Sequence, residues 1–235
     1  MTDLLNSQLP RLEDLLPAEV MARLTHAGKL VRYRDGETVH RRGDNKPGLS
    51  IVKAGGARTG IAGLDGSFLT SSTLGPGHCF GEFTLFAGLP RTHDITAEGD
   101  TEILQIPGAR FFAVFDDEPR LARALLTVAT LRNHHALELI DDLRRLPLEV
   151  RVAKLLYALA PVAEGRYTVK RQQEELAFAY GVTRVSIGKV LKRLAAEELI
   201  ATGYGCIEVT DTARLRTWLD ERMLIAPVQP LAHQE

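Results

Sequence analysis

The chain has 235 residues, more than the roughly 100 to 150 of a typical domain, so two domains are expected. Its 29 basic and 30 acidic residues leave a net charge of -1, which excludes a uniformly basic nucleic-acid-binding chain and makes any such signal local. Only two cysteines occur, Cys79 and Cys206, without CxxC spacing, which argues against a disulfide framework and a four-cysteine metal site.

The N-terminal stretch carries Asp3, Glu13 and Asp14 and no basic run before an apolar core, unlike a secretory signal. No window approaches about 18 consecutive apolar residues, so a cytoplasmic protein without a membrane partner is expected. Leu12, Leu15, Leu16, Val20 and Leu24 then show helical spacing, with Pro17 at a helix start. From Leu30 glycines recur at short intervals between the β-prone runs LVRY, ETVH, LSIVKA, ARTGIAGL, SFLTSSTL, HDITAE and TEILQI. Short strands punctuated by turn residues predict a β-barrel or jelly roll, with a hairpin at Asp65-Gly66. This first domain is placed at residues 1–116.

Glu118-Pro119 opens a long helix, placed at 117–146. Leu121, Leu125, Val128, Arg132, His135, Leu139 and Asp142 form one heptad-type face, and Ala122, Leu126, Ala129, Leu137 and Ile140 form another. Two faces imply one contact with the barrel and one with a partner helix. Leu146-Pro147 is the expected hinge, because proline cannot continue the helix. Residues 147–235 read as a smaller mixed domain. The fold class is therefore α+β.

Within that last domain, QQEELAFAYGVTRVSIGKVLKRLAAEELI spans Gln172 to Ile200 and has helix-turn-helix register. Gly181 stands where the turn needs positive φ, Ala177 where the helices cross closely, and Thr183 where the second helix needs a cap. Ile187, Val190, Leu191 and Leu194 supply its buried stripe. The opposite face carries Arg184, Lys189, Lys192 and Arg193, with no acid from Thr183 to Ala196. Such a face neutralises phosphates and reaches base edges. Arg184 suits bidentate contact with guanine, Val185 a thymine methyl, and Thr183 and Ser186 phosphates. With Gln173 on the first helix, these residues and Lys189 and Lys192 form the DNA-contacting set. The bland alternative is an amphipathic helix with a solvated basic face.

A second constellation is FGEFTLFAGLPRTHD, from Phe80 to Asp94. Arg91 suits a phosphate, backbone N–H groups at a short helix start suit the same anion, and Glu82 suits sugar hydroxyls. An internal Glu82–Arg91 salt bridge explains the same spacing equally well.

These features together resemble the Crp–Fnr family over about residues 15 to 220, through Gly36-Glu37, Gly43-Asp44, Gly55, the cassette, the long helix and the helix-turn-helix. The resemblance implies an N-terminal cyclic-nucleotide-binding jelly roll, a homodimer formed through the long helix, and a winged helix-turn-helix that reads a palindromic operator and contacts RNA polymerase as an activator. Gly81, Glu82 and the adjoining Phe83 correspond to the ribose side of the ligand site, and Arg91 and Thr92 to the cyclic phosphate. Adenine-binding members use a Thr-Ser pair on the long helix, where an ungapped match places Ala136 and Leu137, so Arg132, Asn133, His134 or His135 must serve instead. Asn133 and His134 complete the expected ligand set. Thr92 suits guanine as well as adenine, making cAMP the first candidate ligand and cGMP its rival. Val185 replaces the family's acidic reader and predicts a different operator base pair.

Other readings have discriminating features. A vestigial pocket would make the protein an apo or other-effector regulator. Haem sensing is suggested by His78-Cys79, but Gly81 occupies the later histidine position. Catalysis is suggested by His134-His135 and Asp141-Asp142, yet helical neighbours diverge by about 100° and chelate poorly. No catalytic residue and no metal site is therefore assigned.

Overall fold

The computed structural model describes residues 9–63, 68–159, 165–169, 173–203 and 205–223. Helices α1 (Leu12–Leu15) and α2 (Ala18–Ala27) lead into strands β1 (Lys29–Tyr33), β2 (Thr38–His40), β3 (Gly48–Ala62), β4 (Phe68–Leu74) and β5 (Cys79–Phe80). The short α3 (Glu82–Phe86), strand β6 (Asp94–Pro107) and helices α4 (Gly108–Phe115) and α5 (Pro119–Arg145) follow. Beyond them come α6 (Leu148–Ala158), β7 (Tyr167–Val169), α7 (Gln173–Ala179), α8 (Arg184–Ala196), β8 (Ile200–Gly203), β9 (Cys206–Val209) and α9 (Thr212–Asp220). The chain divides into two compact units, Met1–Leu137 and Glu138–Glu235, and the division falls within α5. Pro147 lies outside the helices, as the N-cap of α6.

In the first unit, an antiparallel sheet is organised on two long strands. β3 pairs with β4, β5 and β6, and β6 also pairs with β1 and β2. The sequence expectation of many short strands is corrected here: LSIVKA and ARTGIAGL are one strand, as are HDITAE and TEILQI. The glycines between them mark register shifts rather than turns, between Val52 and Ala54 and between Ala54 and Gly56. Gly55 has φ +73°, and a Cβ there would lie 2.4 Å from the Asp100 carbonyl oxygen. Ala62 and Phe68 are antiparallel partners, as the expected hairpin requires, while Asp65-Gly66 itself lies outside the described residues.

One apolar cluster joins Leu12, Val20 and Leu24 to Leu49, Ile51, Leu104, Ile106, Phe111, Leu121 and Leu125. The barrel-facing stripe of α5 is thus the one containing Leu121, Leu125 and Val128, all buried. The other stripe is outward: Leu126 is 64% exposed and Leu137 53%. Phe111 is fully buried and meets Phe86, Phe112 and Phe115 edge-on or tilted at 5.4 to 5.8 Å.

In the second unit, β7, β9 and β8 form a three-stranded antiparallel sheet. Buried residues from α6 (Val152, Leu156), α8 (Ile187, Leu191, Leu194) and α9 (Leu215, Leu219) supply its core. The Asp211 carboxylate caps α9 by accepting from Ala213 N–H at 2.8 Å. Truncating Phe111→Ala should destabilise the first unit by about 3 to 5 kcal/mol, measured by denaturant unfolding.

Candidate ligand site and DNA-reading helix

Gly81 precedes α3 with φ +113°, and a Cβ there would lie 2.2 Å from Gly48 O and 2.5 Å from Arg91 Nη1. Only glycine leaves this room, so the sequence Gly81-Glu82 places the start of α3 directly beside the Arg91 guanidinium. Arg91 is 7% exposed. Its backbone is tied to the loop before β3, donating to Asp44 O at 2.9 Å and accepting from Gly43 N–H at 2.8 Å. Its Nη2 donates to the carbonyls of Gly48 at 3.1 Å and Lys46 at 3.5 Å, while Nε is buried with no partner. No carboxylate forms a salt bridge with Arg91 among the described residues. Burial lowers its proton affinity, an effect that Glu82 and Asp44 oppose at longer range. An arginine so placed retains an unspent donor and a charge with no carboxylate in direct contact, which fits an anion.

The internal Glu82–Arg91 bridge, the alternative reading of the cassette, does not form. Glu82 Oε1 instead accepts from Arg132 Nη1 on α5 at 3.2 Å, and Arg132 Nη2 donates to Cys79 O at 3.2 Å. The Cys79 thiol donates to the same carboxylate oxygen at 3.4 Å. Burial and then Glu82 push this thiol's pKa up, so it stays protonated and unreactive. Arg132 was legible as the next member of the stripe Leu121, Leu125, Val128. A charged residue on a barrel-facing stripe needs a barrel partner.

The other expected ligand residues fall differently. Phe83 is 52% exposed. The Thr92 hydroxyl lies 2.9 Å from His93 Nδ1. His134 is half-buried with its ring 5.8 Å from that of His135, and Asn133 is exposed. The hydrogen bonds and ion pairs of the site join the cassette to α5 through Arg132 rather than through Asn133. His40, which sequence reasoning did not single out, sits beside Arg91 and Phe80. Its Nε2 is 3.3 Å from Ser50 Oγ, and its ring meets Phe80 edge-on at 5.9 Å.

In the helix-turn-helix, Gly181 has φ +62° and Val182 N–H closes the turn onto Ala177 O at 2.9 Å. Thr183 caps α8, accepting from Ser186 N–H at 3.1 Å. Ile187, Val190, Leu191 and Leu194 are buried as the spacing predicts. Gln173 Oε1 approaches Gly188, where an added Cβ would lie 3.6 Å away. Val185 is 67% exposed, and Lys189, Lys192 and Arg193 are exposed. Arg184 pairs with Glu174 of α7 at 3.0 Å and Arg193 with Glu149 of α6 at 3.6 Å. Both acids lie outside the helix whose lack of acids the sequence showed, so these pairings were not legible from it.

A β-domain with a caged arginine, followed by a long helix and a helix-turn-helix, defines a ligand-responsive DNA-binding regulator. Residues 30–118 match the cyclic nucleotide-binding domain family, and residues 150–218 match the Crp-like helix-turn-helix domain. The chain is 30% identical over 206 residues to the cyclic AMP receptor protein of Thermus thermophilus, covering 88% of this chain and 94% of that protein. It is 28% identical to the CRP-like cAMP-activated global transcriptional regulator of Mycobacterium tuberculosis, covering 83% and 90%. A solved CRP/FNR family transcriptional regulator of Thermus thermophilus superposes with TM-score 0.66 at 27% identity, covering 83% of this chain and 100% of that one. The c-di-GMP-responsive global regulator CLP of Xanthomonas campestris shares the fold, with TM-score 0.71 at 23% identity over 83% of this chain and 99% of that one. The chain belongs to the Crp–Fnr family of transcription regulators. It is a CRP-like cyclic-nucleotide-binding regulator, in a family of regulators rather than enzymes. Among the described residues, no helix is long and apolar enough to cross a membrane, and no group of three His, Cys, Asp or Glu could hold a metal ion.

Burial, reinforced by the charge of Arg91, lowers the His40 pKa to about 4. A folded-state value below the unfolded value of about 6.5 means that the unfolded chain binds the extra proton first. The contribution of His40 is therefore complete above about pH 6.5 and is lost as pH falls towards 4. Thermal melts across this range should show falling Tm, and His40→Gln should flatten part of the slope.

Proposed function

We propose that the protein is a homodimeric, cyclic-nucleotide-controlled regulator that binds a palindromic DNA operator, with cAMP its first ligand and cGMP the rival. The observation carrying this reading is Arg91: a buried guanidinium without a carboxylate partner, its Nε unpaired, packed against Gly81, where any side chain would collide with it. An anion with one hydroxyl-bearing sugar fits Arg91 and Glu82 together. The relatives named for cAMP support the choice of that nucleotide. In this reading Thr92 assists at the phosphate, Phe83 shields the sugar side, and His134 lies towards the base.

A sugar hydroxyl donating to Glu82 competes with Arg132, so occupancy is felt on α5. A ligand shifts the conformational balance only through different affinities for two states; in this reading the state with Glu82 paired to Arg132 is the ligand-free one. Recognition helices about 34 Å apart would meet successive major grooves. There Arg184 and Val185 read base edges, while Gln173, Thr183, Ser186, Lys189 and Lys192 hold the backbone. Recruitment of RNA polymerase makes the regulator an activator.

Calorimetry of the purified protein should detect cAMP, with cGMP weaker, and Arg91→Gln should weaken binding at least 100-fold. Ligand-dependent operator binding that survives Arg91→Gln unaltered would remove the cassette from the mechanism. Silence towards both nucleotides would instead favour a regulator with a vestigial pocket. Lys189→Ala should reduce the slope of log affinity against log salt by about 1, in fluorescence anisotropy with a duplex.

A further inference from the structure

The outward face of α5 has a regular order. Ala122, Leu126, Ala129, Asn133, Ala136, Ile140 and Leu143 follow in steps of four and three without interruption. That is the period of a two-helix seam. Leu126, Ile140 and Leu143 are all substantially exposed, as are Ala129 and Asn133. With Leu126, Asn133 and Ile140 at the a positions, the d positions are Ala122, Ala129, Ala136 and Leu143. Small d residues let two such helices approach closely. The only polar member of the stripe, Asn133, stands at its middle a position.

Covering an asparagine with apolar surface leaves its amide unsatisfied, which is unfavourable. A second copy of the same helix, parallel and in register, places Asn133 against the partner's Asn133, where the two amides bond to each other. In an antiparallel pair, a positions meet d positions, so Asn133 would face Ala136 and find no partner. The flanking charges discriminate in the same sense. Parallel pairing sets Leu125 near Thr130, Arg132 near Leu137 and Leu139 near Arg144, with no like charges opposed. Antiparallel pairing sets the exposed Arg123 against Arg144. We infer that Asn133 is the register and orientation lock of a parallel α5 pair, rather than a base-reading residue. This inference rests on the homodimer reading above.

The test uses the full chain with Ala129→Cys in a Cys206→Ser background, oxidised in a glutathione buffer. Residue 129 lies at a d position and meets its own copy only in parallel register. The protein should sediment as a dimer and cross-link through residue 129. Adding Asn133→Leu should tighten dimerisation at least tenfold, because the buried amide pair is costly, and should at least halve the cross-linked fraction or populate higher oligomers. Asn133 is exposed in the single chain, so this variant should keep the wild-type circular dichroism. A dimer whose cross-linking, stoichiometry and affinity ignore Asn133→Leu overturns the lock alone. A dimer weakened by Asn133→Leu also overturns it. A monomer at micromolar concentration overturns the homodimer reading itself.

Discussion

A guanidinium buried without a carboxylate organises the first unit. Arg91 is held by its backbone to the segment Gly43–Asp44 and by Nη2 to two carbonyls, which keep its position but leave its charge with no carboxylate in direct contact. Burying a cation this way costs free energy that a simple core would avoid. The surroundings respond to it. Gly81 gives up a side chain so that the guanidinium fits, and His40 is kept neutral beside it. An arginine that served stability alone would do better with an acid at hand, and Glu82 is close enough in chain to have been that acid.

Glu82 instead reaches across to α5. The consequence is that the cassette and the long helix share a polar link, Glu82–Arg132, set among buried apolar contacts made by Leu121, Leu125 and Val128. These apolar contacts are insensitive to small anions; the ion pair is not. One helix therefore presents two chemically different surfaces, a barrel-facing stripe that ends in a charge and an outward stripe with an asparagine at its middle. The angular separation between them is a property of 3.6-residue periodicity and needs no special geometry.

Much of this was readable in the residues alone. The helix-turn-helix was the clearest part, because turn glycine, cap and buried stripe are local features whose spacing α-helical geometry dictates. Gly181, Thr183 and Ile187 stand as the spacing requires. The β-domain was legible in class but not in detail. Glycines were taken as turn signals, whereas Gly55 lets one strand bulge past the Asp100 carbonyl. A positive-φ glycine serves either purpose, and only pairing at long sequence separation decides. The same limit hid the charge partners. Arg184 with Glu174, Arg193 with Glu149 and Glu82 with Arg132 each join different elements, and no spacing rule within one element reports them.

The single tryptophan of the chain, Trp218, lies in α9, with the Arg222 guanidinium 4.1 Å from its ring centroid and its indole N–H bonded to Glu197. The first unit carries phenylalanine and Tyr33 but no indole. Intrinsic emission excited at the red edge therefore originates wholly in the second unit. It would register melting or nucleic-acid docking there while the barrel contributes no indole signal, so the chain contains a native optical probe that separates the behaviour of its two halves.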